Sequence, residues 1–221
     1  VISLLNTLVK EVDEYYEAYE PTKAGRAISD FVNDNLSNWY VRLNRKRFWG
    51  GEMTKDKLSA YQTLYTCLET VAKLMAPISP FYADKLFCDL ISVTDREKVA
   101  SVHLSDYPAY EPSVVDKCLE ERMQIAQDIS SAVLALRRKE SIKVRQPLTQ
   151  IMIPVLNDQQ RNDIDAVREL ILNEVNVKEL KYVDNAAGIL VKKVKPDFKK
   201  LGPRYGKIMK QLAAEVQAMS Q

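Results

Sequence analysis

Residues 38–49 read Asn38-Trp39-Tyr40-Val41-Arg42-Leu43-Asn44-Arg45-Lys46-Arg47-Phe48-Trp49 and combine four cations and several large aromatic side chains with no carboxylate. Outward from this stretch, apolar residues recur at the spacing of one face of an amphipathic helix, at Ile28, Val32, Leu36, Trp39 and Leu43. The spacing predicts a helix with a buried stripe that carries Trp39 and Tyr40. Similar patterns joined by short loops predict a mainly α fold built on an antiparallel helical bundle.

The far side of this helix is predicted to be polar, with Asn35, Asn38, Arg42 and Arg45 facing solvent. Amides and guanidiniums donate to phosphate oxygens and to the edges of unpaired bases, so the pattern indicates RNA as a partner. A second interpretation stays open, because cations near the C-terminal end of a helix also interact favourably with its dipole and with water. Trp49, which precedes two glycines, is expected to be the more accessible tryptophan.

The charge of the chain argues against indiscriminate coating of nucleic acid but permits local patches, since the net charge is only +2 over 221 residues. Cations crowd a late segment with Asp197 as its single acid: Lys192, Lys193, Lys195, Lys199, Lys200, Arg204, Lys207 and Lys210. A hydrophobic content of 46% is sufficient for one large domain or two ordinary ones.

The cysteines and the single histidine argue against a zinc site, because Cys67, Cys88 and Cys118 are widely separated and only His103 could join them. Scattered thiols are typical of a reducing cytosol, and no apolar run is long enough to cross a bilayer. We therefore expect a cytoplasmic protein with no membrane partner. The start enters a helical pattern without an initiating Met or a cap, so we also expect a fragment of a longer chain.

Four helices are predicted in the first half, at about residues 2–19, 22–48, 54–76 and 79–91. Residues 92–112 are polar and are predicted to be a linker. A long fifth helix follows, with its apolar side at Val115, Leu119, Ile125, Ile129, Val133 and Leu136.

A change of period then predicts a small α/β unit, with a strand at 151–155, a helix at 158–173, and strands at 177–183 and 189–194. A last helix is predicted after Gly202-Pro203. The predicted domains are a helical bundle over 1–110, and the long helix with the α/β unit and C-terminal helix over 111–221.

Catalysis by this chain alone is not predicted, and no residue is assigned a catalytic role. One histidine cannot supply a pair for acid and base chemistry, and no glycine-rich loop is followed by Lys and Ser/Thr. His103, between Val102 and Leu104 in the linker, is expected to be structural.

Four phrases of the sequence together resemble a known family: Asn38-Trp39-Tyr40-Val41-Arg42, Leu74-Met75-Ala76-Pro77-Ile78-Ser79-Pro80-Phe81, Ser101-Val102-His103-Leu104-Ser105-Asp106-Tyr107-Pro108 and Arg145-Gln146-Pro147-Leu148. They stand in the order seen after the catalytic core of class I isoleucyl-tRNA synthetases. Nearly the whole chain resembles the carboxy-terminal portion of that family, and residues 195–202 are similar to its eukaryote-like branch. Valyl and leucyl enzymes share variants of these phrases, so they stay as alternatives.

The resemblance implies an anticodon-binding bundle followed by a small junction domain, with the anticodon stem-loop of tRNA(Ile) as partner. It also implies that the catalytic and editing domains lie upstream in the same polypeptide. ATP and Mg²⁺ would be used by that absent core, and no cofactor or metal is expected in this segment. Some members end in a cysteine-ligated zinc module, and this chain departs from that pattern.

Within this resemblance, four cations are expected to neutralise phosphates of the anticodon arm: Arg42, Arg45, Lys46 and Arg47. Asn38, with Asn35 beside it, is expected to read a base edge, and Trp49 to stack on a splayed base. Cations of the second half are expected to hold the backbone: Lys192, Lys193, Lys199, Lys200 and Arg204. The main rival hypothesis is a helical scaffold that docks another protein and has no RNA role.

Overall fold

Two helices open the computed structural model, which describes residues 1–94, 98–155 and 157–183. Helix α1 (Ile2–Glu17) buries the apolar residues that recur along one of its faces, and helix α2 (Pro21–Asp30) begins at a proline whose fixed φ suits a first helical turn. Tyr19 lies in the turn between them at φ 55°, with 93% of its surface exposed. The chain reverses there, so α1 ends before the predicted residue 19.

The single helix predicted over 22–48 is three consecutive segments. Helix α2 continues into a π-helical segment (Phe31–Val41), after which the Arg42 N–H still donates to the Ser37 carbonyl five residues back. Helix α3 (Arg45–Trp49) follows a break at Asn44. The predicted stripe survives these changes, because Ile28, Leu36 and Trp39 are buried.

Helix α4 (Lys55–Met75) completes the first core and packs against α1, α2 and helix α5 (Pro80–Thr94). This core contains Leu5, Leu8, Val9, Val12, Ala24, Ile28, Phe31, Leu36, Cys67, Val71 and Leu74. In the first turns of α4 the small side chain of Ala60 is buried, whereas Leu58 and Tyr61 are exposed. The larger apolar side chains of these turns therefore do not contribute to the first core.

The predicted linker is a packed part of the bundle over its described residues. Val102 begins a short 3₁₀ turn (Val102–Leu104) and joins a second core with Ala72, Ala76, Ala83 and Phe87. The Asp84 carboxylate accepts hydrogen bonds from Ser101 Oγ at 2.6 Å and from the Val102 N–H at 2.9 Å. These bonds, the Ser101 bond first, lower the pKa of Asp84. His103 is exposed, and its main-chain N–H donates to Ser101 Oγ.

The boundary between two compact units falls between Ala132 and Val133, inside helix α6 (Lys117–Lys139), whereas the boundary predicted from the sequence follows residue 110. Polar contacts with α1 explain the difference. Ser3 Oγ accepts from the Asp116 N–H at 2.9 Å and donates to the Glu120 carboxylate at 2.6 Å. The first part of α6 therefore belongs with the bundle.

The buried face of α6 also differs from the predicted apolar side. Ala126, Ser130 and Arg137 are buried, while Leu136 is 61% exposed. Polar contacts contribute to this choice of face, since Gln127 Nε2 donates to Asn35 Oδ1 and Arg137 donates to three main-chain carbonyls.

The second unit is an α/β unit, as predicted. Strand β1 (Leu148–Pro154) runs parallel to strand β2 (Val177–Val183), in register from Leu148 with Val177 to Pro154 with Val183. Helices α7 (Asp158–Ala166) and α8 (Arg168–Val175) connect them, so the helix predicted over 158–173 is divided at Val167. Its core includes Ile153, Ile164, Ile171, Leu172, Val175 and Leu180. The strand predicted at 189–194 and the C-terminal helix lie outside the described residues.

No helix within the described ranges combines the length and the apolar character that crossing a bilayer requires.

Candidate nucleic-acid interface

Helix α3 lies against the N-terminal half of α4, and aromatic side chains make the contact. The ring of Phe48 meets those of Tyr40 and Tyr61 edge to face, with centroids 6.3 and 5.2 Å away. The Tyr61 hydroxyl donates to the Phe48 carbonyl at 3.2 Å, and the Tyr40 hydroxyl donates to the Ala60 carbonyl at 3.1 Å. Phe48 is thus the residue by which this short helix is packed.

Arg47 makes a second connection between α3 and α4. Its Nε and Nη2 donate to the two carboxylate oxygens of Asp56 at 2.7 and 2.6 Å, and Nη2 also donates to the Asp56 carbonyl at 3.1 Å. Its Nη1 donates to Asn44 Oδ1 at 2.9 Å. The hydrogen bond from Arg47 lowers the pKa of the Asp56 carboxyl. Arg47 therefore has an internal carboxylate partner that Arg45 and Lys46 lack, and its expected contact with phosphate stays a prediction.

Four side chains of the same region face solvent, and we call them the α3 tip: Arg45, Lys46, Trp49 and Met53. Trp49 is 80% exposed, as its position after the apolar stripe predicts. Among the described residues, Arg45 and Lys46 have no side-chain hydrogen bond or ion pair. Two cations and two large apolar side chains are thus available at one loop end of the bundle.

Asn38 and Arg42 are both exposed, as predicted, and Arg42 Nε donates to the Asn38 carbonyl at 2.8 Å. Asn35 does not share their exposed side. It is half-buried, and its Oδ1 accepts from Gln127 of α6 at 3.2 Å. Asn35 directly precedes the buried Leu36, and its contact with α6 explains why it is not exposed with Asn38 and Arg42.

Three supporting residues were not foreseen from the sequence. Asp56 and Asn44 hold Arg47, and Tyr61 packs on Phe48. The sequence feature that could have predicted these contacts is the loop 50–54, because a loop this short folds α3 back onto the first turns of α4. The predicted backbone contacts at Lys192, Lys193, Lys199, Lys200 and Arg204 lie outside the described residues.

The described part of the chain contains no cluster of three or more His, Cys, Asp or Glu side chains able to hold a metal ion. One groove is lined by α1 and α2, with charged residues of both signs that include Glu11, Lys23, Arg26 and Asp30. No histidine or cysteine lines it, so it offers no pair of a nucleophile and a histidine base.

This chain belongs to the family described as the anticodon-binding domain of tRNA ligase, which residues 1–153 match. The match includes the whole helical bundle and the α3 tip. It also extends through α6 and into β1, where it ends at Ile153.

Its curated relatives include isoleucine–tRNA ligases. Over all 221 residues the chain is 70% identical to the enzyme of Bacteroides thetaiotaomicron, 71% to that of Bacteroides fragilis and 64% to that of Porphyromonas gingivalis. In each case the chain spans 19% of the relative's length. All three organisms are bacteria, so these matches give no support to the expected eukaryote-like branch.

Proposed function

We propose that this chain is the anticodon-binding part of an isoleucine–tRNA ligase and that the α3 tip contacts the anticodon arm of tRNA(Ile). The observation that carries the proposal is the tip itself. It presents an 80% exposed tryptophan beside two unpaired cations, inside the region that matches the anticodon-binding family. Stacking of an unpaired base on an aromatic ring, with cations on the flanking phosphates, is a general mode of single-stranded RNA binding.

The roles divide according to the contacts. Arg45 and Lys46 neutralise phosphates, and Trp49 stacks on an unpaired base of the anticodon loop. Asn38 and Arg42 extend the surface along the π-helical segment, since both are exposed there. Asn35 has a supporting role, because its side chain accepts a hydrogen bond from Gln127 of α6.

The remaining parts of the proposal rest on the resemblance to the synthetase family. The catalytic and editing domains would belong to the same polypeptide and would use ATP and Mg²⁺, with no cofactor bound by this segment. Positioning tRNA(Ile) for aminoacylation would be its contribution, in the cytoplasm. The late cations from Lys192 to Arg204 would add backbone contacts.

The test is a titration of the whole chain with an RNA hairpin of the isoleucine anticodon stem-loop at several salt concentrations. The double variant Arg45→Ala/Lys46→Ala removes two phosphate contacts, so the slope of log K against log salt should become shallower by roughly 1.4 to 1.8. Trp49→Ala should weaken binding by about 1 to 3 kcal/mol, the usual contribution of a stacked base.

A matched control removes the same charge elsewhere, from the exposed Lys10 of α1 and Lys85 of α5. Lys10→Ala/Lys85→Ala should leave the salt slope unchanged. The proposal is overturned if the unaltered chain fails to bind the hairpin at low salt. It is also overturned if the Arg45 and Lys46 variant binds like the control, as a protein-docking scaffold would.

A further inference from the structure

Helix α3 has only five residues and cannot hold its shape by its own hydrogen bonds. Its position depends on attachments to neighbouring elements. One attachment is the packing of Phe48 between Tyr40 and Tyr61. The other is the set of hydrogen bonds around the guanidinium of Arg47, which we call the Arg47 brace and define as Arg47, Asp56 and Asn44.

We propose that Arg47 and Asp56 are positioning residues, which hold α3 on the first turn of α4 so that Arg45, Lys46 and Trp49 are presented together to RNA. Arg47 itself makes no phosphate contact. This inference rests on the proposed function, and it assigns the fourth cation of the segment a task unlike that of its neighbours.

Most N–H donors of the Arg47 guanidinium already form hydrogen bonds within the protein. A guanidinium has five N–H groups, and in Arg47 four of them donate to Asp56 or Asn44. Two of these bonds form the parallel pair that arginine makes with a carboxylate. This pair fixes the orientation of the guanidinium and balances its charge. A phosphate approaching Arg47 would also meet the negative charge of Asp56.

The brace joins three elements at the point where the helix breaks. Asp56 lies in the first turn of α4, Arg47 lies in the middle of α3, and Asn44 precedes α3. Asn44 Nδ2 in turn donates to the Tyr40 carbonyl of the π-helical segment at 2.7 Å. Trp49 follows Arg47 by two residues, so a loosened α3 would release the stacking side chain as well as the two cations.

The first experiment uses the sign of an affinity change. If Asp56 merely restrained a phosphate ligand, Asp56→Asn would free Arg47, remove a negative charge and tighten binding of the anticodon hairpin. If Asp56 positions α3, the same variant should weaken binding about fivefold or more, as when one base stack is lost. Glu52→Gln is the matched control, because Glu52 is an exposed carboxylate of the loop before α4 with no side-chain partner among the described residues. It should leave affinity unchanged or raise it slightly.

The second experiment separates positioning from phosphate contact at Arg47. Arg47→Ala should weaken binding and change the salt slope in the same direction as Asp56→Asn, because either variant releases Arg45 and Lys46 from the position in which they contact phosphates. Arg47→Lys should not restore affinity, since an ammonium cannot form the paired bonds to Asp56. Weaker binding by Arg47→Ala together with tighter binding by Asp56→Asn would overturn the inference.

A third measurement needs no RNA. Asp56→Asn should speed amide hydrogen exchange in residues 45–49, with exchange in α1 unchanged. Unchanged exchange in residues 45–49 would overturn the positioning role. Failure of the unaltered chain to bind RNA would instead overturn the proposed function. Normal binding of the unaltered chain, together with tighter binding by Asp56→Asn, would overturn the positioning role alone.

Discussion

Adjacent residues of one short helix perform opposite tasks in this protein. Arg45, Lys46 and Trp49 point to solvent, whereas Arg47 and Phe48 hold the helix to α4. Side-chain type does not distinguish these roles, because Arg45 and Arg47 carry the same group two positions apart. The difference comes from Asp56, a partner nine residues later that only one of the two arginines reaches.

Glu120 anchors the first turn of α6 to α1 through Ser3 and Thr7. Burial disfavours ionisation of this carboxyl, but hydrogen bonds from Lys117, Ser3 and Thr7 outweigh burial and lower its pKa. A lowered pKa stabilises the fold above the pKa of the unfolded chain, and this stabilisation is lost as pH falls through the folded value. We therefore expect the free energy of unfolding to decrease below about pH 4.3.

The variant Glu120→Gln should lower the free energy of unfolding by about 1 to 2 kcal/mol at pH 7 and reduce its decline in acid. Urea titrations at pH 7 and at low pH measure both effects. Glu121→Gln changes the exposed neighbouring carboxylate and should stay within about 0.5 kcal/mol of the unaltered chain. Equal effects of the two variants would contradict the anchoring role.

At the level of elements, the end of α6 and the following loop depend on a buried arginine. Arg137 is 2% exposed, and its guanidinium donates to the carbonyls of Lys143, Gln146 and Asn176 at 3.0 to 3.1 Å. These carbonyls belong to the loop before β1 and to the turn before β2. Asn176 adopts the left-handed conformation at φ 52°, and its Nδ2 donates to the Val144 carbonyl at 2.9 Å. One side chain thus holds the approaches to both strands.

We expect Arg137→Ala to lower the free energy of unfolding of the second unit by about 2 to 4 kcal/mol, since three hydrogen bonds from a charged donor and the packing of a buried side chain are lost. The adjacent Arg138→Ala removes the same charge from an exposed position and should change it by less than about 0.5 kcal/mol. Hydrogen exchange of the amides in residues 143–148 reports the effect locally. Similar exchange in the two variants would show that Arg137 does not organise the loop.

At the level of the molecule, each unit has its own buried core. Leu74 is fully buried in the first unit and Ile171 in the second. Both tryptophans, Trp39 and Trp49, belong to the first unit. Tryptophan fluorescence therefore follows the first unit, whereas far-ultraviolet circular dichroism follows helices of both.

We predict that Leu74→Ala lowers the free energy of unfolding of the first unit by about 2 to 5 kcal/mol. The denaturant midpoint followed by tryptophan fluorescence should fall accordingly. Ile171→Ala should lower the free energy of unfolding of the second unit by a similar amount. Part of the circular dichroism transition should then move to lower denaturant concentration, while the fluorescence midpoint stays unchanged. A fluorescence midpoint that moves equally in both variants would instead show that the units unfold as one.

Much of this architecture could be predicted from local patterns. The helical class, the stripe through Ile28, Leu36 and Trp39, the exposure of Trp49 and the strand at 177–183 all follow from periodicity and turn residues. The wrong predictions concern residues whose packing depends on a partner distant in the sequence. The residues around Val102 look like a linker, yet they pack because Asp84 accepts their hydrogen bonds.

The sequence by itself determined that the chain is a helical bundle followed by an α/β unit and that a cationic, aromatic segment ends the second predicted helix, because these properties depend on residues a few positions apart. Only the tertiary structure decided which cations of that segment face solvent. Arg47 is bound by a carboxylate from another helix, and Asn35 by an amide from a helix some ninety residues later. Such pairings depend on how the elements are packed, and no local spacing encodes them.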